Sequence, residues 1–338
     1  MTRLTDWIRR HQVVAFFVIT FAISWGLAFS WGAVLQREQF LLLPVAFVAV
    51  CGPGLAGIIV SAVTNTRARE GPRRAFWIAL LGAWVASALV FLVHHAFIEG
   101  VTLSPALIGL IAVAVVPVAF VIASAYSRIP SVRRYLSSLV RPRGVWGWSL
   151  LALVLPPASI LLSLPVGNVL GRPPIPAQRF PDMNLALIGL FAVKFLYQLF
   201  FFNATGEETG WRGFALPRLQ ARTSPLVAAL IIAVFWTSWH AFFWQAEGQP
   251  VSTPGYWVEM AVGHTLLSVL IVWICNRAQG SILVAGIAHA ATNAAQAFVP
   301  MRNLYDLCLV WAVVALVLIL VDRMWKKLPP DHPAVYGV

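Results

Sequence analysis

Charge is what this sequence has least of. Only 11% of its 338 residues are Asp, Glu, Lys or Arg, where a water-soluble globular chain carries about a quarter. Acids are the scarcer kind, with 12 Asp and Glu against 24 Lys and Arg. With 60% apolar residues and a mean hydropathy of +0.81, this composition excludes an ordinary water-soluble domain. Cysteine is also rare: Cys51, Cys275 and Cys308 are odd in number, unpaired in spacing and set in or beside apolar runs, which predicts buried thiols rather than disulfides or ligands. No repeat of 20 to 50 residues and no long polar linker is visible. A His-Glu-x-x-His zinc motif is absent too.

Long apolar runs are present instead. Crossing about 30 Å of hydrocarbon takes roughly 20 helical residues. The spacing predicts helices near 13–35, 40–64, 76–98, 104–124, 146–168, 184–203, 224–244, 256–276, 281–299 and 304–322. The expected fold is an all-α polytopic bundle of about 8–10 membrane helices in one domain over 1–338, the lower counts applying if 76–98 or 281–299 fails to span. Arg9 and Arg10 precede an apolar run too long for a signal-peptide core, which reads as a retained first helix.

The basic residues test that layout, because short cytoplasmic loops retain Lys and Arg. Nineteen of the 24 fall in alternate segments, at 1–12, 65–75, 125–145, 204–223, 277–280 and 323–338. The opposite set holds Arg37, Arg172, Arg179 and Arg302, and Lys194 lies inside a helix. Both termini are therefore expected in the cytoplasm. The net charge of +12 is spread over helix ends, which fits anionic lipid headgroups and not a nucleic-acid partner.

An ionisable group inside hydrocarbon costs at least about 2.5–3.5 kcal/mol, so a cluster of them needs a reason. Three segments stand out between residues 206 and 293: Gly206-Glu207-Glu208-Thr209-Gly210-Trp211-Arg212-Gly213, Trp236-Thr237-Ser238-Trp239-His240, and His289-Ala290-Ala291-Thr292-Asn293. If the helix from 184 continues, Glu207 and Glu208 point about 100° apart. Glu208 and Arg212 are then i and i+4 with the acid first, the favourable order for an ion pair. That pairing makes Glu208 and Arg212 the support and Glu207 the candidate base, since a carboxylate in a partly dry cavity is a stronger base than one in water. His289 and Asn293 share a helix face and suit hydrogen bonding to a carbonyl oxygen. His240 shares a face with Trp236.

Such a set supports hydrolysis by carboxylate-activated water or by a metal-bound hydroxide. Each segment alone has a plainer reading. A Glu-Glu pair is commonly solvated surface, Glu208 with Arg212 could be a structural tie, and Trp236, Trp239 and His264 read as packing residues. Their coincidence favours a site. Helix depths conflict: at 1.5 Å per residue His289 lies roughly 12 Å into its helix and His240 roughly 24 Å into its own. A loop dipping into the membrane after Arg212, or a late start of helix 224–244, is expected to reconcile them. Asp306 and Glu259 are expected to be solvated, and His94 with His95 lacks further metal ligands in the pattern.

At these segments the sequence resembles the CAAX prenyl endopeptidase and bacteriocin-processing (CPBP, or Abi) family of intramembrane proteases. The resemblance rests on Glu207-Glu208-x-x-x-Arg212-Gly213, Trp236-x-x-x-His240 and His289-x-x-x-Asn293, in that order, with Gly280-Ser281-Ile282 before the last and Cys51-Gly52-Pro53-Gly54 early in the chain. It covers 184–300 and leaves 1–183 as additional membrane helices. The second motif usually carries Phe where Trp236 stands, a change that bears on pocket shape.

The resemblance implies water activated by Glu207 and His240, an oxyanion bound by His289 and Asn293, and Glu208, Arg212 and Trp236 in support. It implies a peptide or lipid-modified protein substrate, membrane lipids around the chain and no cofactor, with a zinc ion on Glu207, His240 and His289 as the alternative. The Arg-rich, Lys-poor usage points to a bacterial cytoplasmic membrane. Two other classes stay open: a transporter, separable by uptake into vesicles, and a non-catalytic scaffold or immunity protein, whose phenotype would survive Glu207→Ala and His240→Ala.

Overall fold

The structure is a computed structural model describing residues 3–37, 42–140, 145–176, 181–182, 184–246 and 248–336, without the side chains of 28–37, 42 and 246. Regular structure among the described residues is entirely helical. The helices are α1 (Arg3–Arg10), α2 (Gln12–Arg37), α3 (Leu42–Val50), α4 (Gly52–Val63), α5 (Arg73–Phe97), α6 (Pro105–Ala114), α7 (Val116–Ser124), α8 (Pro130–Val140), α9 (Trp146–Val169) and α10 (Leu185–Gln198). A π-helical stretch, Leu199–Ala215, follows, then α11 (Leu216–Gln220), α12 (Pro225–Ala246), α13 (Pro254–Arg277), α14 (Ile282–Phe298) and α15 (Leu304–Val321).

Over the described residues every predicted apolar run is helical; residues 40 and 41 of the run 40–64 lie outside them. Among the described residues seven helices are long and apolar enough to cross a membrane. Two bent pairs also qualify as broken spans, and Ile282–Phe298 is a shorter apolar helix. The chain is a multi-pass helical membrane protein.

Three loops expected from the sequence are helical instead. Segment 1–12 contains α1, which meets α2 at 109°. Segment 125–145 contains α8, whose Val132, Leu136 and Leu139 are buried while Arg134 is exposed. That spacing is an amphipathic helix too polar to register as a span. Segment 204–223 is not a loop, because the helix begun at Leu185 runs on to Gln220. The expected dip after Arg212 therefore does not occur.

The chain divides into two compact units. The first is Met1–Arg143 with Leu196–Ala215, and the second is Gly144–Phe195 with Leu216–Val338. The predicted core 184–300 is shared out between them.

In the first unit the π-helical stretch packs on α4, α7, α8 and α3. Glycine makes the α4 contact close. Pro53, at the start of α4, follows the bend of 55° between α3 and α4. A Cβ on Gly54 would stand 2.6 Å from Thr209 Oγ1 and 2.8 Å from the Thr205 carbonyl oxygen, and one on Gly206 2.9 Å from a Val50 methyl. Small residues let two helix backbones touch, the usual way helices associate in lipid. Gly206 and Gly210 of the first motif thus serve as close contacts within this unit.

Gly210→Ala tests this. Alanine favours a helix by about 1 kcal/mol over glycine, yet its Cβ would lie 2.3 Å from Pro53 Cβ and 2.7 Å from the Pro53 carbonyl carbon. Overpacking of this kind costs about 1–3 kcal/mol, so a lower melting temperature in detergent is expected. A rise would mean the contact is not close.

In the second unit α14 packs on α9 and α13, and α13 also packs on α12 and α15. Asp306, expected to be solvated, is only 2% exposed. Arg172 Nε lies 3.5 Å from its carboxylate. Arg302 donates to the Leu164 and Pro173 carbonyls at 2.7 and 2.8 Å and to Asn168. Gly167 leaves room for both charged groups, since a Cβ there would meet Arg302 and Asp306. Near the chain end the Gln220 amide donates to the Ala334 carbonyl at 2.8 Å, and the Tyr336 ring lies under the Arg218 guanidinium. Cys51, Cys275 and Cys308 are buried free thiols, as predicted.

Candidate active site

The three motif segments lie in different units, so each part is built separately. In the first unit the π-helical stretch buries all the polar groups of the first motif. Glu207 is 4% exposed, Glu208 0% and Arg212 1%. π-Helical segments are rare and favour functional sites, because the wider turn redirects side chains.

Arg212 donates to Glu208 Oε1 at 2.9 Å, the expected i, i+4 pair, with neither side chain exposed. Phe16 meets the Trp211 and Phe214 rings at 5.7 and 5.0 Å. Tyr135 of α8 donates to the Thr209 carbonyl at 2.7 Å. Glu207 has a different neighbour from Glu208: the Asn203 amide sits 3.5 Å from its Oε1. Asn203, one turn earlier and buried, went unnoticed in the sequence because Phe-Phe-Asn-Ala reads as the tail of an apolar run.

In the second unit α12, α13 and α14 surround a cavity of about 470 Å³ whose lining includes Trp236, His240, Trp244, His264, His289 and Asn293. Trp236 is fully buried and central: its ring meets those of His240, His264 and His289 at 5.7, 4.5 and 5.1 Å. Trp236 lies one turn nearer the start of α12 than His240, and its ring reaches His289 of α14.

His240 Nδ1–H donates to the Trp236 carbonyl at 2.8 Å. A carbonyl only accepts, so this bond places the proton on Nδ1 and leaves Nε2 of the neutral ring with its lone pair. His264, taken as packing in the sequence, stacks on His240 at 4.7 Å and on Trp244 at 5.4 Å, and it lines the cavity. A lone histidine in an apolar run carries no sign of this; only the facing of α12 and α13 reveals it.

The first unit thus offers a buried carboxylate beside a neutralised ion pair. The second offers an imidazole with an accepting nitrogen, a second imidazole and a carboxamide on one cavity. Trp236, His240, His289 and Asn293 line one cavity of the second unit, and Glu207, Glu208 and Arg212 are buried along one stretch of the first. The histidines of the second-unit cavity are also of a residue type that binds zinc.

Known proteins bear on the same stretch. Residues 189–295 match the model of a family described as type II CAAX prenyl endopeptidase Rce1-like. The chain is also 30% identical over 140 residues to CAAX prenyl protease 2 of Methanococcus maripaludis, a match covering 40% of this chain and 49% of that protein. The chain therefore spans about half the length of this curated relative. All three motifs lie within 189–295, the stretch that matches this family's model.

Proposed function

We propose that this protein is an intramembrane endopeptidase that hydrolyses a peptide bond in a membrane-associated or lipid-modified peptide, working in a bacterial cytoplasmic membrane with both termini and the cavity mouth on the cytoplasmic side. The observation that carries the reading is the convergence of His240, His289 and Asn293 on one cavity of a membrane bundle.

In this reading Glu207 takes a proton from water and His240 assists in activating it. The hydroxide formed attacks the carbonyl carbon. His289 and Asn293 donate to the developing oxyanion, an interaction stronger in the transition state than in the bound substrate. Collapse of the tetrahedral intermediate breaks the C–N bond, and the proton held by Glu207 passes to the leaving nitrogen. The name of the Methanococcus protein supports a lipidated peptide as first choice of substrate.

Protein reconstituted in vesicles and given prenylated and unmodified membrane peptides is expected to release cleaved product. Asn293→Ala should lower kcat by about 10²–10³-fold, the effect of removing one oxyanion donor. Retained cleavage in EDTA would favour the carboxylate mechanism over zinc on Glu207, His240 and His289. Peptide uptake without cleavage would replace the reading with transport, and neither activity would favour a scaffold.

A further inference from the structure

A second cluster of ligating side chains lies in the first unit, at the end of α5 opposite Arg73 and Arg74. The Ile98 amide closes the last turn onto the His94 carbonyl at 2.8 Å, Val101 donates to the His95 carbonyl at 3.0 Å, and Gly100 takes the left-handed conformation at φ +63°. That turn is a helix stop of the kind glycine permits. It folds Glu99 back beneath the helix end. One carboxylate oxygen then faces His94 Nδ1 at 3.5 Å, and the other faces His95 Nε2 at 3.2 Å. All three ligand atoms lie within 4.8 Å of one another.

Ligands about 2.0–2.2 Å from a tetrahedral ion stand roughly 3.3–3.5 Å apart, close to the 3.5 and 3.2 Å contacts of the Glu99 carboxylate with the two rings. A carboxylate at the negative end of a helix is also unfavourable without a cation beside it.

The rings are held in place. His94, 1% exposed, stacks on Tyr197 at 3.7 Å and 10°, and His95 stacks on Phe91 at 4.1 Å. Glu99 is 42% exposed, which leaves an approach from water.

The geometry points to a divalent transition-metal site of zinc type formed by His94 Nδ1, His95 Nε2 and the Glu99 carboxylate, with water completing the tetrahedron. Two imidazoles and a carboxylate are a recurrent zinc donor set. Because His94 lies flat on Tyr197, ten residues before Glu207 on the same continuous helix, the ion braces α5 against that helix. The site is separate from the proposed hydrolytic residues.

Full-length protein in detergent, stripped with chelator, is titrated with Zn(II) against a chromogenic competitor and with Co(II) by absorption spectroscopy. Wild type is expected to bind one equivalent, to show tetrahedral Co(II) bands and to melt at higher temperature with zinc. Glu99→Gln keeps the shape of an exposed side chain and should weaken binding at least about tenfold, the loss expected on removing one charged ligand. His94→Phe keeps the stack on Tyr197, so a folded variant that no longer binds also supports the site. His240→Ala should leave binding unchanged, which separates this site from the second-unit cavity whatever its catalytic fate. Absence of binding by wild type at 10 µM zinc, the concentration chosen for the assay, or wild-type affinity in Glu99→Gln, would overturn the proposal.

Discussion

Arg212→Ala is expected to destabilise the protein by about 3–5 kcal/mol, the range for breaking one side of a buried ion pair. The guanidinium and the Glu208 carboxylate are both fully buried and 2.9 Å apart. Removing the cation leaves a carboxylate with no water to replace it, in a stretch already lined by Trp211, Phe214 and Phe16. The physics makes a second variant informative. Replacing both partners with apolar side chains of similar volume, as in Glu208→Met with Arg212→Met, removes the attraction and both desolvation penalties together, so most of the stability should return. Thermal unfolding of wild type, both single variants and the double variant in one detergent completes the cycle. Near-wild-type stability in Arg212→Ala would mean the pair does not hold this helix.

Glu207→Gln is expected to lower kcat by about 10²–10⁴-fold, the contribution of a positioned general base, with little change in melting temperature. Glutamine has nearly the same shape and can still hydrogen-bond to the Asn203 side chain 3.5 Å away, but it cannot take a proton from water. The contrast with Arg212→Ala is the point. Adjacent acids on one helix would differ in kind, one read in kcat and the other in stability. If Glu207→Gln instead lowered the melting temperature and left kcat per folded molecule unchanged, Glu207 would be structural and the hydrolytic reading would lose its base.

The apolar runs were legible because bilayer thickness imposes one length on every span, and over the described residues each is helical, 40–64 and 104–124 as two helices each. The Glu208 and Arg212 pair was legible because four residues bring side chains to one face whenever a helix continues. Helices α1 and α8 escaped notice because a short amphipathic helix at a charged boundary has the composition of a loop. That the helix runs on as far as Gln220 was not legible, because the close approach permitted by Gly206 and Gly210 is to Val50 and Pro53, some 150 residues away in the chain. Asp306 was misjudged because its position near a helix start says nothing about Arg172, more than 100 residues away in the chain.

Local chemistry, then, was set by the sequence alone: which segments enter lipid, which carry polar groups there, and which groups share a helix face. These follow from hydrophobic length and helical periodicity, both properties of neighbouring residues. The meeting of His264 with His240, the indole of Trp236 linking three imidazoles, and the return of Glu99 onto His94 and His95 were decided by tertiary structure. Each depends on how one helix faces another or where a chain turns back, and burial and close packing select that arrangement without leaving a period in the sequence.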